Sequence, residues 1–133
     1  MRRLLFGVVV ATLFAAAPVS AAKSEPSTII LNEPSGLAPW QPTLGDVVTF
    51  TVTFPKTLDP SRVNIQILCY QNGAITFVTA GHYDRGFLLG GTTSPWLTNG
   101  GDATCRGELY FWSPNGQKYN MLASTEFDAR GLR

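Results

Sequence analysis

Between residues 48 and 54 the chain alternates without a break: Val48, Phe50, Val52 and Phe54 fall on one side, Thr49, Thr51 and Thr53 on the other. A period of two sends successive side chains to opposite faces of a pleated strand, so this segment has one apolar face to bury and one wet face. The pattern returns at Val63, Ile65, Ile67 and Cys69, with Asn64, Gln66, Leu68 and Tyr70 opposite. Gln71-Asn72-Gly73 follows as a hairpin turn, because Asn and Gly tolerate positive φ, and residues 74–80 run back as a strand.

Further strands are expected at residues 28–31, 87–89, 103–112 and 119–127. Residues 32–44 hold Pro34, Pro39 and Pro42 and read as a loop, as do residues 90–102 with their glycines and Pro95. Residues 130–133 read as a frayed tail. About seven short strands, separated by turn signals and without a helix, predict an all-β domain. The expected architecture is an immunoglobulin-like antiparallel β-sandwich with one disulfide, and a small barrel or a jelly roll competes to close the same strands.

The first 22 residues follow a different logic. Met1-Arg2-Arg3 is basic, residues 4–17 are uncharged and mostly apolar, and Pro18-Val19-Ser20-Ala21-Ala22 is small, which is the layout of a secretory signal peptide. An apolar run of about 14 residues falls short of the roughly 20 that cross a bilayer, so no membrane insertion is expected once the signal is removed. Cleavage after Ala21 or Ala22 starts the mature chain at Ala22 or Lys23 and leaves residues 23–133 as one domain, placed in the periplasm, at the cell surface or in the medium. The chain has ten basic and nine acidic residues, and the departing Arg2 and Arg3 account for the excess. With no run of like charge, neither nucleic acid nor an anionic membrane is an expected partner.

An exported chain with two cysteines is expected to pair them. Cys69 lies on the apolar face at the end of the third expected strand, and Cys105 on the Leu109/Phe111 face at the start of the sixth. If these strands are antiparallel neighbours, Ile67 faces Gly107, Ile65 faces Leu109 and Val63 faces Phe111, with Gly107 leaving room for Ile67. On the other face Asn64 then meets Tyr110, and Leu68 meets Arg106. Such a bridge would contribute roughly 3–4 kcal/mol by the loop-entropy argument.

Leu44-Gly45-Asp46-Val47-Val48-Thr49-Phe50-Thr51-Val52 resembles the second-strand opening of many bacterial immunoglobulin-like surface domains. Phe87-Leu88-Leu89-Gly90-Gly91, Trp96-Leu97-Thr98-Asn99-Gly100-Gly101 through Cys105, and Leu122-Ala123-Ser124-Thr125-Glu126-Phe127 are similar to small exported proteins of bacteria and tailed phages that have no assigned activity. The resemblance covers most of residues 44–127. It implies no catalytic residues. It also departs from antibody domains, whose bridge joins the second and sixth strands across the two sheets.

Catalytic chemistry is sparse. The single histidine, His82, lies two residues from Asp84, but no Gly-x-Ser-x-Gly elbow accompanies it, and it reads as a polar loop residue. One His and two paired Cys do not make a zinc centre, and Asn99 and Asp102 lack the alternating oxygen ligands of a calcium loop. No phosphate-cradling glycine motif occurs, so neither a metal nor another cofactor is expected.

Aromatic residues are the stronger lead. Alternation sends Tyr70, Tyr110 and Trp112 to the face opposite the cysteines, while Trp40 and Trp96 lie in loops as sugar-stacking platforms or as plugs closing the ends. The expected function is a secreted or surface-associated, non-enzymatic binding or structural module whose partner is a protein or a cell-surface glycan. A secreted inhibitor or effector acting through the 90–102 loop is the alternative, and a small hydrolase using His82 is the third reading.

Overall fold

The computed structural model describes residues 26–34 and 40–132. The expected signal peptide and its cleavage site lie outside the described residues.

Strand β4 (Val63–Gln71) pairs with β5 (Ala74–His82) through the Asn72-Gly73 turn, where both residues adopt positive φ. Strand β7 (Ala103–Trp112) lies antiparallel on the other side of β4, and β8 (Tyr119–Ala129) pairs with β7, which gives a four-stranded sheet of order β5-β4-β7-β8. The expected register holds at every position: Val63 faces Phe111, Ile65 faces Leu109, Ile67 faces Gly107 and Cys69 faces Cys105. The two cysteines form the only disulfide of the described chain, across neighbouring strands of one sheet.

The alternating segment at 48–54 divides its pairing. Its first part, β2 (Val47–Val48), pairs with β6 (Phe87–Leu88), and its second, β3 (Phe50–Thr53), pairs with β1 (Thr28–Leu31). Asn32 marks the changeover at Thr49, donating its backbone N–H to the Thr49 carbonyl and its side-chain amide to the Thr49 hydroxyl, both at 3.0 Å. Each ladder is too small to stand alone. Both lie on the inner face of the four-stranded sheet, where Ile29, Val48, Phe50 and Phe87 join Val63, Ile65, Ile67, Cys69, Cys105 and Leu109 in one buried cluster. Each fully buried aliphatic or aromatic side chain contributes on the order of 1.5–3 kcal/mol there.

Gly107 has another role than the one its sequence position suggests. A Cβ there would meet the Phe50 ring at 3.2 Å, so the missing side chain makes room for the opposite layer and not for Ile67. The Phe50 ring then reaches Phe87 and Phe127, each at 6.2 Å between centroids.

Two loop expectations need correction. Residues 90–102 contain a one-turn helix, α1 (Pro95–Asn99), with Pro at its first turn and Gly100 ending it at φ 65°. Trp96, on that turn, drives the segment into the core. Residues 130 and 131 are also not frayed: Arg130 exchanges backbone bonds with Pro42 and Leu44, at 2.8 and 2.7 Å, and Gly131 donates its N–H to the Asp102 carboxylate at 3.0 Å. Among the described residues no helix is long and apolar enough to cross a membrane.

Candidate functional site

The outer face of the four-stranded sheet has no layer over it among the described residues. Its central strands present Asn64, Gln66, Leu68 and Tyr70 from β4, and Thr104, Arg106, Glu108, Tyr110 and Trp112 from β7. The flanking strands alter this pattern through two bulges. In β8 the register slips opposite Leu109/Tyr110, so that Met121 faces Tyr110 and Tyr119 faces Trp112. Strict alternation back from the buried side of β8 would have put both residues in the core, but the extra residue, Leu122, packs inward in their place. In β5 the slip at Cys69/Tyr70 does the same for Ile75, which faces Tyr70 on the outer side. Thr76 is the extra residue there, buried and donating its hydroxyl to the Cys69 carbonyl at 3.4 Å.

An aromatic cluster results at one end of this face. Tyr119 stacks on Tyr110 at 4.6 Å, and Trp112 meets both rings edge-on, at 6.4 Å from Tyr110 and 5.5 Å from Tyr119. The burial is uneven: Tyr110 is only 7% exposed, whereas Trp112 and Met121 are 45% and 48% exposed. Tyr110 is therefore the covered base of the cluster, and Trp112 and Met121 are its exposed part. Tyr119 donates its hydroxyl to Glu108 at 3.3 Å. Burial, then the Glu108 charge, push the Tyr119 phenol well above its ordinary range, and burial raises Tyr110 as well. Both phenols stay neutral donors in any physiological medium. Arg62 donates to the Trp112 carbonyl from β4's leading edge, and Arg106 spans Met121 and Ser124 at 3.6 and 3.5 Å.

The other aromatic candidates separate. Tyr70 lies on the same outer face but at the far end of β4, roughly 25 Å away at the rise of a strand, where it lines a cleft between the β4–β5 hairpin and the end of the 90–102 loop. Trp96 is fully buried, tilts against Phe77 and donates its indole N–H to the Gly101 carbonyl at 2.9 Å. Trp40 packs against the core cluster. Trp96 is thus used as a plug with no face left for a sugar, whereas Trp40 is only partly buried.

His82 is tied on both sides. Its Nδ1 meets Asp84 at 2.5 Å and its Nε2 meets the Pro60 carbonyl at 2.9 Å, both acceptors, so the ring donates to both when it is protonated. The Asp84 hydrogen bond, then the Pro60 carbonyl, raise the His82 pKa, and the same bond lowers that of Asp84. Neither ring nitrogen is open to a substrate. Asn99 and Asp102, weighed above as calcium ligands, are engaged with Gln71 and Gly131. No group of three metal-ligating side chains occurs among the described residues.

Tyr119 and Met121 escaped the sequence reading because only the bulge at Leu122 brings them outward, and no turn residue marks it. No protein-family model matches this chain, and neither does any curated protein or solved structure.

Proposed function

We propose that this chain is an exported, non-enzymatic binding module with an immunoglobulin-like β-sandwich fold, docking a protein or a cell-surface glycan on the outer face of its four-stranded sheet. The order β5-β4-β7-β8 under the β1-β3 and β2-β6 ladders supports the fold reading, because it makes β4 and β7, the third and sixth strands expected from the sequence, neighbours. Export is supported by the Cys69–Cys105 bridge together with the layout of residues 1–22.

One observation carries the binding reading. Two separate bulges, in β5 and in β8, each turn large apolar side chains out of the core and onto the same open face. Exposed Ile75, Val78, Trp112 and Met121 stand there beside Arg106, Glu108 and Glu126, the apolar-and-charged mixture of a docking surface. Trp and Tyr are favoured anchors of such surfaces. The inhibitor reading through residues 90–102 is weaker, since that loop buries its largest side chain, Trp96, as a strut.

The test is a double substitution, Trp112→Ser with Met121→Ser, compared with the wild type on a glycan array and in capture from cell-wall and culture-supernatant fractions. A ligand bound by the wild type and lost by the folded double variant supports the reading. Equal binding by both proteins overturns the assignment of the face.

A further inference from the structure

At the end of the sheet opposite Trp112 lies a cleft of about 440 Å³, lined by Tyr70, Asn72, Gly101, Asp102 and Asp128 among others. We infer that this cleft is a saccharide subsite that takes an uncharged sugar. The inference rests on reading the chain as a binding module, but not on the Trp112 cluster being its docking surface.

The wall of the cleft is built in advance. The Gln71 side-chain amide donates to the Gly100 carbonyl at 2.7 Å, with longer contacts to the Gly101 and Asp102 carbonyls at 3.4 and 3.3 Å. The indole of buried Trp96 holds the Gly101 carbonyl from behind at 2.9 Å. A rim pinned from two sides costs little ordering when a ligand enters, and its volume falls within the roughly 300–1,000 Å³ of ordinary small-ligand sites.

The chemistry of the lining selects the ligand. Tyr70, Thr104 and Asp128 form one cross-strand row on the outer face, which sets the ring and the carboxylate two strand spacings apart, about 10 Å. Asp128 accepts from the Thr104 hydroxyl with one oxygen, at 3.3 Å, and Asp102 accepts from the Gly131 N–H with one oxygen, at 3.0 Å. Each carboxylate is thereby oriented, and its second oxygen has no hydrogen-bond partner among the described residues. Such an oxygen accepts from a hydroxyl, and the Asn72 amide both donates and accepts. Tyr70 adds a flat apolar face with a polar tip, which suits the C–H face of a pyranose. No lysine or arginine lines the cleft, and Arg130, the nearest basic residue in contact with its lining, is tied to Gln41 at 3.1 Å, so a sulfated or carboxylated sugar would meet the Asp102 and Asp128 carboxylates inside the cleft. A purely apolar ligand would strip water from the same carboxylates without replacing it.

The probes are cellotriose, maltotriose and triacetylchitotriose, with a sulfated trisaccharide as the charged comparison, titrated into the oxidised ¹⁵N-labelled protein. At least one uncharged trisaccharide is expected to shift the amides of Tyr70, Asn72, Gly101 and Asp128 and to saturate with a Kd of order 1 mM. Tyr70→Ala and the isosteric Asp128→Asn should each weaken it by about tenfold or more, and Trp112→Ser should leave it unchanged. Silence with all three uncharged probes, shifts confined to the Trp112 end, or tighter binding of the sulfated probe would each overturn the inference. The Trp112→Ser arm separates the two proposals, because loss of the docking face leaves the cleft titration intact.

Discussion

The two faces of the four-stranded sheet are made by the same strands and have opposite fates. On the inner face Val63, Ile65, Ile67, Cys69, Cys105 and Leu109 are completely buried beneath the two small ladders. On the outer face, one residue along each strand, Gln66, Arg106 and Glu108 are half-buried and Trp112 is open. The difference teaches where stability and recognition reside in this chain. The inner face is closed by volume and shape, and the outer face is kept soluble by polar residues set between the aromatics.

The contrast predicts a ranking of mutational effects, with the inner face at the top. Trp96→Ala removes a fully buried indole and leaves the Gly101 carbonyl only its long 3.4 Å contact to Gln71, so it should cost about 3–5 kcal/mol in urea unfolding. An effect below about 1 kcal/mol would show that the 90–102 loop is not part of the core. Replacing both cysteines by alanine should cost roughly 3–4 kcal/mol, visible as a lower urea midpoint of the oxidised wild type's double variant. Gly107→Val should cost about 1–3 kcal/mol by pressing on Phe50, and Phe50→Leu should recover part of that loss.

The smallest effect belongs to the outer rim. The Asp84 and Pro60 contacts raise the His82 pKa, so their contribution is complete below the unfolded value of 6.5 and is lost as pH rises through the folded value. The pair is exposed, and the effect should be slight. Thermal unfolding of wild type against His82→Gln should show a small wild-type advantage near pH 6 that disappears at alkaline pH. An advantage that grew with pH would contradict the assignment.

Much of the inner face was legible in the sequence because burial enforces phase. A one-residue slip would expose the whole Val63-to-Cys69 row, so alternation and the two cysteines were enough to set the β4–β7 register. The outer face was legible only in part. Tyr70, Tyr110 and Trp112 follow from the same phase, but Tyr110 becomes buried because Tyr119 stacks on it, and Tyr119 arrives through a bulge that costs no turn residue. Trp96 was ambiguous for another reason. A tryptophan in a glycine-rich loop can face either way, and its direction is decided by a one-turn helix and a single indole hydrogen bond. The anchoring of Arg130 and Gly131 was not legible because their partners, Pro42, Leu44 and Asp102, are remote in sequence.

The most direct measurement of the two-faced sheet is a matched pair of urea unfolding curves for Ile65→Ala and for the Trp112→Ser, Met121→Ser double variant. Ile65→Ala should lose about 2–5 kcal/mol, as expected for a buried Ile, while the double variant should stay within about 1 kcal/mol of wild type. A double variant that unfolds as readily as Ile65→Ala would make the outer face a core face and contradict the account.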